Sequence, residues 1–73
     1  MEGKLIWKNN RYTLRYFEKG EEKLHGFEVG DEVEVFLNEA WIKTQVGLKH
    51  GEQALMNITY GDGVGCEARI PSS

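Results

Sequence analysis

Over most of this chain apolar residues recur at every second position, in short runs broken by turn-forming residues. In Arg11-Tyr12-Thr13-Leu14-Arg15-Tyr16, the side chains of Tyr12, Leu14 and Tyr16 point one way and those of Arg11, Thr13 and Arg15 the other. The dominant period is therefore two, that of a half-buried strand, rather than the 3.6 of a helix. Residues 4–8 form a strand with Leu5 and Trp7 on one face. Residues 31–37 send Val33, Val35 and Leu37 inward and Glu32, Glu34 and Phe36 outward. Residues 40–49 place Ile42, Thr44, Val46 and Leu48 on one face and Trp41, Lys43 and Gln45 on the other, with Gly47 marking a kink or bulge. Residues 53–60 bury Ala54, Met56, Ile58 and Tyr60, and residues 65–70 bury Cys66, Ala68 and Ile70.

The breaks are equally regular. Asn9-Asn10, Asn38-Glu39, His50-Gly51 and Gly61-Asp62-Gly63 read as tight turns, because Asn and Gly tolerate positive φ. Residues 17–30 lose the alternation. They read as one long charged loop punctuated by Gly20, Gly26 and Gly30, with room for at most a helical turn over 21–24. Leu24, Phe27 and Val29 are expected to tuck that loop onto the core. Pro71-Ser72-Ser73 reads as a frayed end. Short strands at this spacing predict an all-β sandwich or barrel. In 73 residues a small barrel of five to six antiparallel strands is the better solution, since it leaves few exposed edges.

Length also bounds function. Residues 1–73 make one domain, and a chain of this size buries only about 60% of the surface it exposes when unfolded. Little is spare for a deep substrate cavity, so a surface binding module is expected and an enzyme is not. No run of about 18–20 apolar residues spans a membrane, and the first residues lack a signal-peptide core and a glycine at position 2 for myristoylation. One cysteine excludes an internal disulfide and suits a reducing cytoplasm.

The stretch Val29-Gly30-Asp31-Glu32-Val33-Glu34-Val35, followed by Ala40-Trp41-Ile42 and Val46, resembles the central strands of SH3-like small barrels. There a Gly-Asp corner launches a strand, and a Trp-bearing strand returns after a tight turn. With Leu24-His25-Gly26, Trp41-Ile42-Lys43-Thr44-Gln45-Val46 and Glu67-Ala68-Arg69-Ile70, the chain is similar to a short family of unknown function found in phages and conjugative elements of Gram-positive bacteria. It differs at Lys43 and Gln45, where Pro and Arg are commoner. The resemblance implies an SH3-like barrel and a mobile-element accessory protein. It implies no catalytic residues and no cofactor.

Net charge is −3, unevenly spread. Residues 1–20 carry five cations against two anions, residues 21–40 one against seven, and residues 41–73 three against three. Two surfaces of opposite sign follow. The first has Phe36 and Trp41 paired across the Asn38-Glu39 turn under Lys43, with Glu32, Glu34 and Glu39 nearby. Large exposed aromatics beside acids suit a protein partner of basic character, and this is the leading functional expectation; the other reading of Phe36 and Trp41 is a second small core covered by residues 17–30. The alternative is nucleic acid, met by Lys4, Lys8, Arg11 and Arg15 on the outward faces of the first hairpin. Their other reading is edge-strand charge that discourages aggregation. Either surface also allows a monomer or a homodimer.

The remaining chemistry-bearing residues read as structural. His25 and His50 are too few and too distant for a zinc site, so no metal is expected. Cys66 falls on an inward register, away from the electropositive setting a reactive thiolate needs. Glu32 and Glu34 lie about 6.5–7 Å apart along one strand face, within reach of a carboxylate pair, but read as a solvated acidic face. Gly61-Asp62-Gly63-Val64-Gly65 lacks the lysine and following helix of a phosphate loop.

Overall fold

The computed structural model describes residues 2–58 and 63–71. Its strands are β1 (Glu2–Lys8), β2 (Arg11–Glu18), β3 (Glu21–Gly26), β4 (Glu32–Leu37), β5 (Ala40–Lys49), β6 (Glu52–Leu55) and β7 (Glu67–Arg69). They form one antiparallel sheet in the order β3-β2-β1-β7-β4-β5-β6. The chain is all-β, as the alternation predicts. There are seven strands rather than five or six, and the sheet is unclosed, with β3 and β6 at its edges.

Four connections are two-residue hairpins: Asn9-Asn10, Lys19-Gly20, Asn38-Glu39 and His50-Gly51. In each, both turn residues have positive φ, from 51° at Asn38 to 80° at Gly51. Such turns match the right-handed twist of the strands they join. Three of the four are legible in the sequence. The fourth corrects the expected loop over 17–30: Phe17 and Glu18 continue β2, Lys19-Gly20 turns, and β3 returns along β2. β3 is an edge strand exposed along nearly its whole length, so it carries no apolar alternation to reveal it. Of Leu24, Phe27 and Val29, only Phe27 is buried. Leu24 sits opposite Arg15 on the outer face. Val29 lies in a turn closed by the Asp31 N–H on Glu28 O and by the Glu28 N–H on the Asp31 carboxylate.

The inner face collects Leu5, Tyr12, Leu14, Phe27, Val33, Val35, Val46, Leu55 and Ala68, with Thr44 buried among them. Tyr16, Leu37, Ile42, Ile58 and Ile70 pack against this core. Three expectations need correction. Leu55 is the buried residue of β6, whereas Ala54 and Met56 are half-buried; β6 ends at Leu55, so the longer alternation over 53–60 is not one strand. Leu48 is exposed, because it lies where β5 overhangs toward the His50-Gly51 turn. Gly47 makes no bulge, as the β5–β6 register runs unbroken from Val46↔Leu55 to Lys49↔Glu52. Its missing side chain instead admits the Met56 thioether, whose Cε and Sδ approach to 3.0 and 3.1 Å of where a Cβ would stand. Cys66 is half-buried. The expected turn at Gly61-Asp62, the burial of Tyr60 and the fraying of Ser72-Ser73 lie outside the described residues.

The topology is two three-stranded meanders, β1–β2–β3 and β4–β5–β6, with β7 inserted between them. β7 pairs Arg69, Ala68 and Glu67 with Glu2, Gly3 and Lys4 of β1, and pairs Arg69 and Ala68 with Glu34 and Val35 of β4. On its other side the start of β1 lies so close to the β2 main chain that a Cβ on Gly3 would collide with the Arg15 carbonyl oxygen. Only glycine fits there.

At the opposite side one side chain ties the meanders together. The Gln53 carboxamide on β6 accepts from the Tyr12 N–H at 2.7 Å through Oε1 and donates to Phe27 O at 2.8 Å through Nε2. The Phe27 N–H donates to Tyr12 O at 2.8 Å. The amide thus stands inside the Tyr12–Phe27 pairing, taking the place of one ladder bond with two of its own. Leaving buried main-chain groups unpaired costs roughly 1–3 kcal/mol, so Gln53→Ala is expected to lower the unfolding free energy by about that amount in urea titrations. An unchanged midpoint would mean that the amide is not holding the two meanders together.

Candidate functional site

The strand register puts both sequence-derived surfaces on the outer face of the same sheet. Along β4 this face shows Glu32, Glu34 and Phe36; along β5 it shows Gln45, Lys43 and Trp41, directly opposite in that order. Five of the six residues expected in the aromatic and acidic surface are therefore brought together. The sixth, Glu39, is exposed in the Asn38-Glu39 turn at the end of that hairpin.

Phe36 and Trp41 pair across the hairpin as expected, with ring centroids 5.3 Å apart at 60°. The cation over Trp41 is not Lys43. It is Arg69 of β7, whose guanidinium carbon lies 4.0 Å from the ring centroid. Arg69 Nε also donates to Glu34 Oε1 at 3.0 Å, and Lys43 turns instead to Glu32 at 3.3 Å. Glu2, Arg69, Glu34 and Lys43 thus follow one another across β1, β7, β4 and β5 as a lateral row of alternating charge. Trp41 is half-buried under this network, and not under residues 17–30, while Phe36 remains 39% exposed. Glu32 and Glu34 each have a cation, so they do not act as a free carboxylate pair.

The other half of the outer face is different. Lys4 stands directly opposite Arg15, and Lys8 opposite Arg11, with Ile6 opposite Thr13 between them. Like charges facing across a strand pair repel. Glu67 flanks Lys4 on its β7 side, but among the described residues none of these four cations has an ion-pair partner. Arg15 Nε is buried with no hydrogen-bond partner. Beyond Arg15 on the same face, Phe17 is 66% exposed, and Leu24 of β3 is exposed beside Arg15. Lys8, Arg11 and Thr13 line an open groove of about 390 Å³ with Leu24 and Gly26. The sequence reading missed Phe17 and Leu24 here because it placed both in a loop.

A third feature lies at the end of the sheet, between the Asn9-Asn10 and His50-Gly51 turns. Trp7 and Tyr12 meet edge to face there, 5.1 Å apart at 86°, and line a cleft of about 460 Å³ with Lys49, His50 and Gln53. His25 packs edge-on against Phe27 instead. Among the described residues no three His, Cys, Asp or Glu side chains cluster as metal ligands. No helix of the described residues is long and apolar enough to cross a membrane.

The Arg69–Glu34 pair is partly shielded and also carries the Trp41 stack, so it is worth more than a freely solvated pair. A double-mutant cycle with Glu34→Gln and Arg69→Gln is expected to return a coupling of about 0.5–1.5 kcal/mol, shrinking as salt is added. A coupling near zero in urea titrations would leave Trp41 as a docked ring without an electrostatic clamp.

Comparison with curated proteins finds no match, and comparison with solved structures finds none. A family model does match, over residues 3–70, which is nearly the whole chain and includes every strand that builds both surfaces. The chain belongs to that family, the domain of unknown function DUF5348.

Proposed function

We propose that this domain is a non-enzymatic binding module that takes up single-stranded nucleic acid on the outer face of β1 and β2. The observation that carries this reading is the pair of facing cations, Lys4↔Arg15 and Lys8↔Arg11, with no ion-pair partner among the described residues. A sheet that opposes like charges lowers its own stability, and a phosphate backbone relieves that repulsion. Exposed Phe17 beside Arg15 adds a flat ring on which a base stacks. The two acidic residues of β4, Glu32 and Glu34, are engaged by Lys43 and Arg69 on the other half of the face and leave the β1 and β2 cations uncompensated by them.

The same reading takes the curled sheet as an SH3-like barrel, drawn together by Gln53, in a cytoplasmic accessory protein of a phage or conjugative element. A small factor of that kind meets nucleic acid as a matter of course, and Cys66 stays reduced in that compartment.

Lys4→Gln with Lys8→Gln removes one cation from each facing pair. The double variant is expected to gain about 0.4–2 kcal/mol of stability at low salt. It is also expected to bind a dT15 oligonucleotide more weakly, with the slope of log K against log salt reduced by about 1.4, as two lost phosphate contacts require. Wild-type protein that shows no salt-weakened retention of single-stranded DNA would sink the reading.

A second reading, a protein-interaction surface of Phe36, Trp41, Glu32, Glu34, Glu39 and Lys43, is favoured by the convergence of five of these residues on one face and by the exposed edge of Phe36. Its weakness is that Trp41 is held by Arg69. Trp41→Ala is expected to cost about 1–3 kcal/mol in urea titrations. A Trp41→Ala variant as stable as wild type would free that ring for a partner and restore this reading.

A further inference from the structure

The cleft between the Asn9-Asn10 and His50-Gly51 turns has a composition that the outer-face reading leaves unused. We infer that it seats one unpaired base of a nucleic-acid strand lying along the first hairpin. This rests on the binding role proposed for Lys4, Lys8, Arg11 and Arg15 and extends it around the hairpin tip.

The wall of the cleft is Trp7, 39% exposed. The indole is held in place from behind. Its cross-strand partner Tyr12 is buried and meets it edge to face at 5.1 Å, and the Tyr12 main chain is fixed by Gln53 at 2.7 Å. A flat aromatic surface that does not have to be ordered on binding is what base stacking needs. The volume, about 460 Å³, falls within the range of small-molecule sites and suits one heterocycle better than an extended polymer.

The rim offers both hydrogen-bond polarities. Lys49 and Glu52 face one another across β5 and β6, yet among the described residues they form no ion pair. An ammonium donor and a carboxylate acceptor therefore line the same cleft as the indole. Base edges carry donors and acceptors together, and a carboxylate accepts from a ring imino N–H, such as that of thymine, as from an exocyclic amine. Continuity with the cationic surface follows from the register. Trp7 precedes Lys8 and Tyr12 follows Arg11, so the cleft and the Lys8↔Arg11 pair are the two faces of one hairpin end. A strand with its phosphates on that pair needs only to turn one nucleotide over the Asn9-Asn10 tip. A short peptide would meet the same indole, but the Lys8 and Arg11 cations on the other face of this hairpin end would favour it only if it were acidic.

The test uses the full chain carrying Trp41→Phe, which leaves Trp7 as the sole indole and keeps a ring beneath Arg69. On titration with dT15 at low salt, Trp7 emission is expected to be quenched with the same midpoint as the binding isotherm read by anisotropy. Trp7→Leu is expected to weaken dT15 binding about 5- to 150-fold while the salt slope stays unchanged, and Trp7→Phe to restore most of the affinity. Binding of dT15 without quenching overturns the inference and leaves the outer-face reading standing. So does a folded Trp7→Leu protein with wild-type affinity. Should Trp7→Leu fail to fold, the quenching result and the exposed Lys49→Gln variant decide in its place, with unchanged affinity counting against the cleft. Failure of the wild-type chain to bind dT15 overturns both readings. Quenching by an acidic peptide but not by dT15 overturns the inference and assigns the cleft to a protein partner.

Discussion

The sheet depends on the insertion of three residues between two halves that otherwise do not pair. Each meander is a local object, built from neighbouring strands and two-residue turns. Among the described residues, main-chain pairing joins them only through β7 and the residues that lead into it. Gly3, Ala68 and Val35 lie in one row on the inner face, and the β2 main chain leaves no space for a Cβ on Gly3. Gln53 supplies the complementary tie on the far side. The curvature of the sheet is thus set by a main-chain wedge at one place and a side-chain amide at another.

The same wedge divides the outer face chemically. On its β4 side, Arg69 reaches across to Glu34 and Trp41, so charge and aromatic surface satisfy each other within the fold. On its β1 side, among the described residues, no comparable partner reaches the hairpin cations beyond Glu67. A surface that looks inviting in sequence, an aromatic pair amid acids, is largely occupied by the protein itself. Of the charge that looks like routine edge-strand protection, Lys4 turns out to be internal to the sheet, since β2 and β7 flank it on either side. Protection of an edge does not account for Lys4 there, which is why its exposure opposite Arg15 invites a functional reading.

Much of this was legible from period and punctuation. The inward residues of β1, β2 and β4, three of the hairpin turns and the cross-strand meeting of Phe36 with Trp41 all follow from alternation and positive-φ residues. The parts that were not legible share a cause. β3 is exposed on both faces, so the buried stripe that betrays a strand is missing. β6 is too short for alternation to fix its inward side, and Leu55 rather than Ala54 faces the core. Arg69 stands between the inward-facing Ala68 and Ile70, and its role arises solely from the placing of β7 beside β4, a pairing between residues 35 apart. Gln53 is invisible for the same reason. A glutamine in an amphipathic run looks like solvent-facing polarity until the strand opposite it is known.

The central position of β7 also has a kinetic meaning. Every other strand precedes it in the chain, yet it pairs with the first of them. The hairpins can close on microsecond timescales from contacts only a few residues apart. The sheet cannot become whole until the most distant pairing in the molecule is made, and loop-closure entropy opposes that step before any burial rewards it. Until then both meanders present an open inner edge, β1 and β4, rich in apolar side chains and unpaired main-chain groups. The partly assembled state is therefore the one most exposed to pairing with another copy, and the speed of a single short docking event governs how long that exposure lasts.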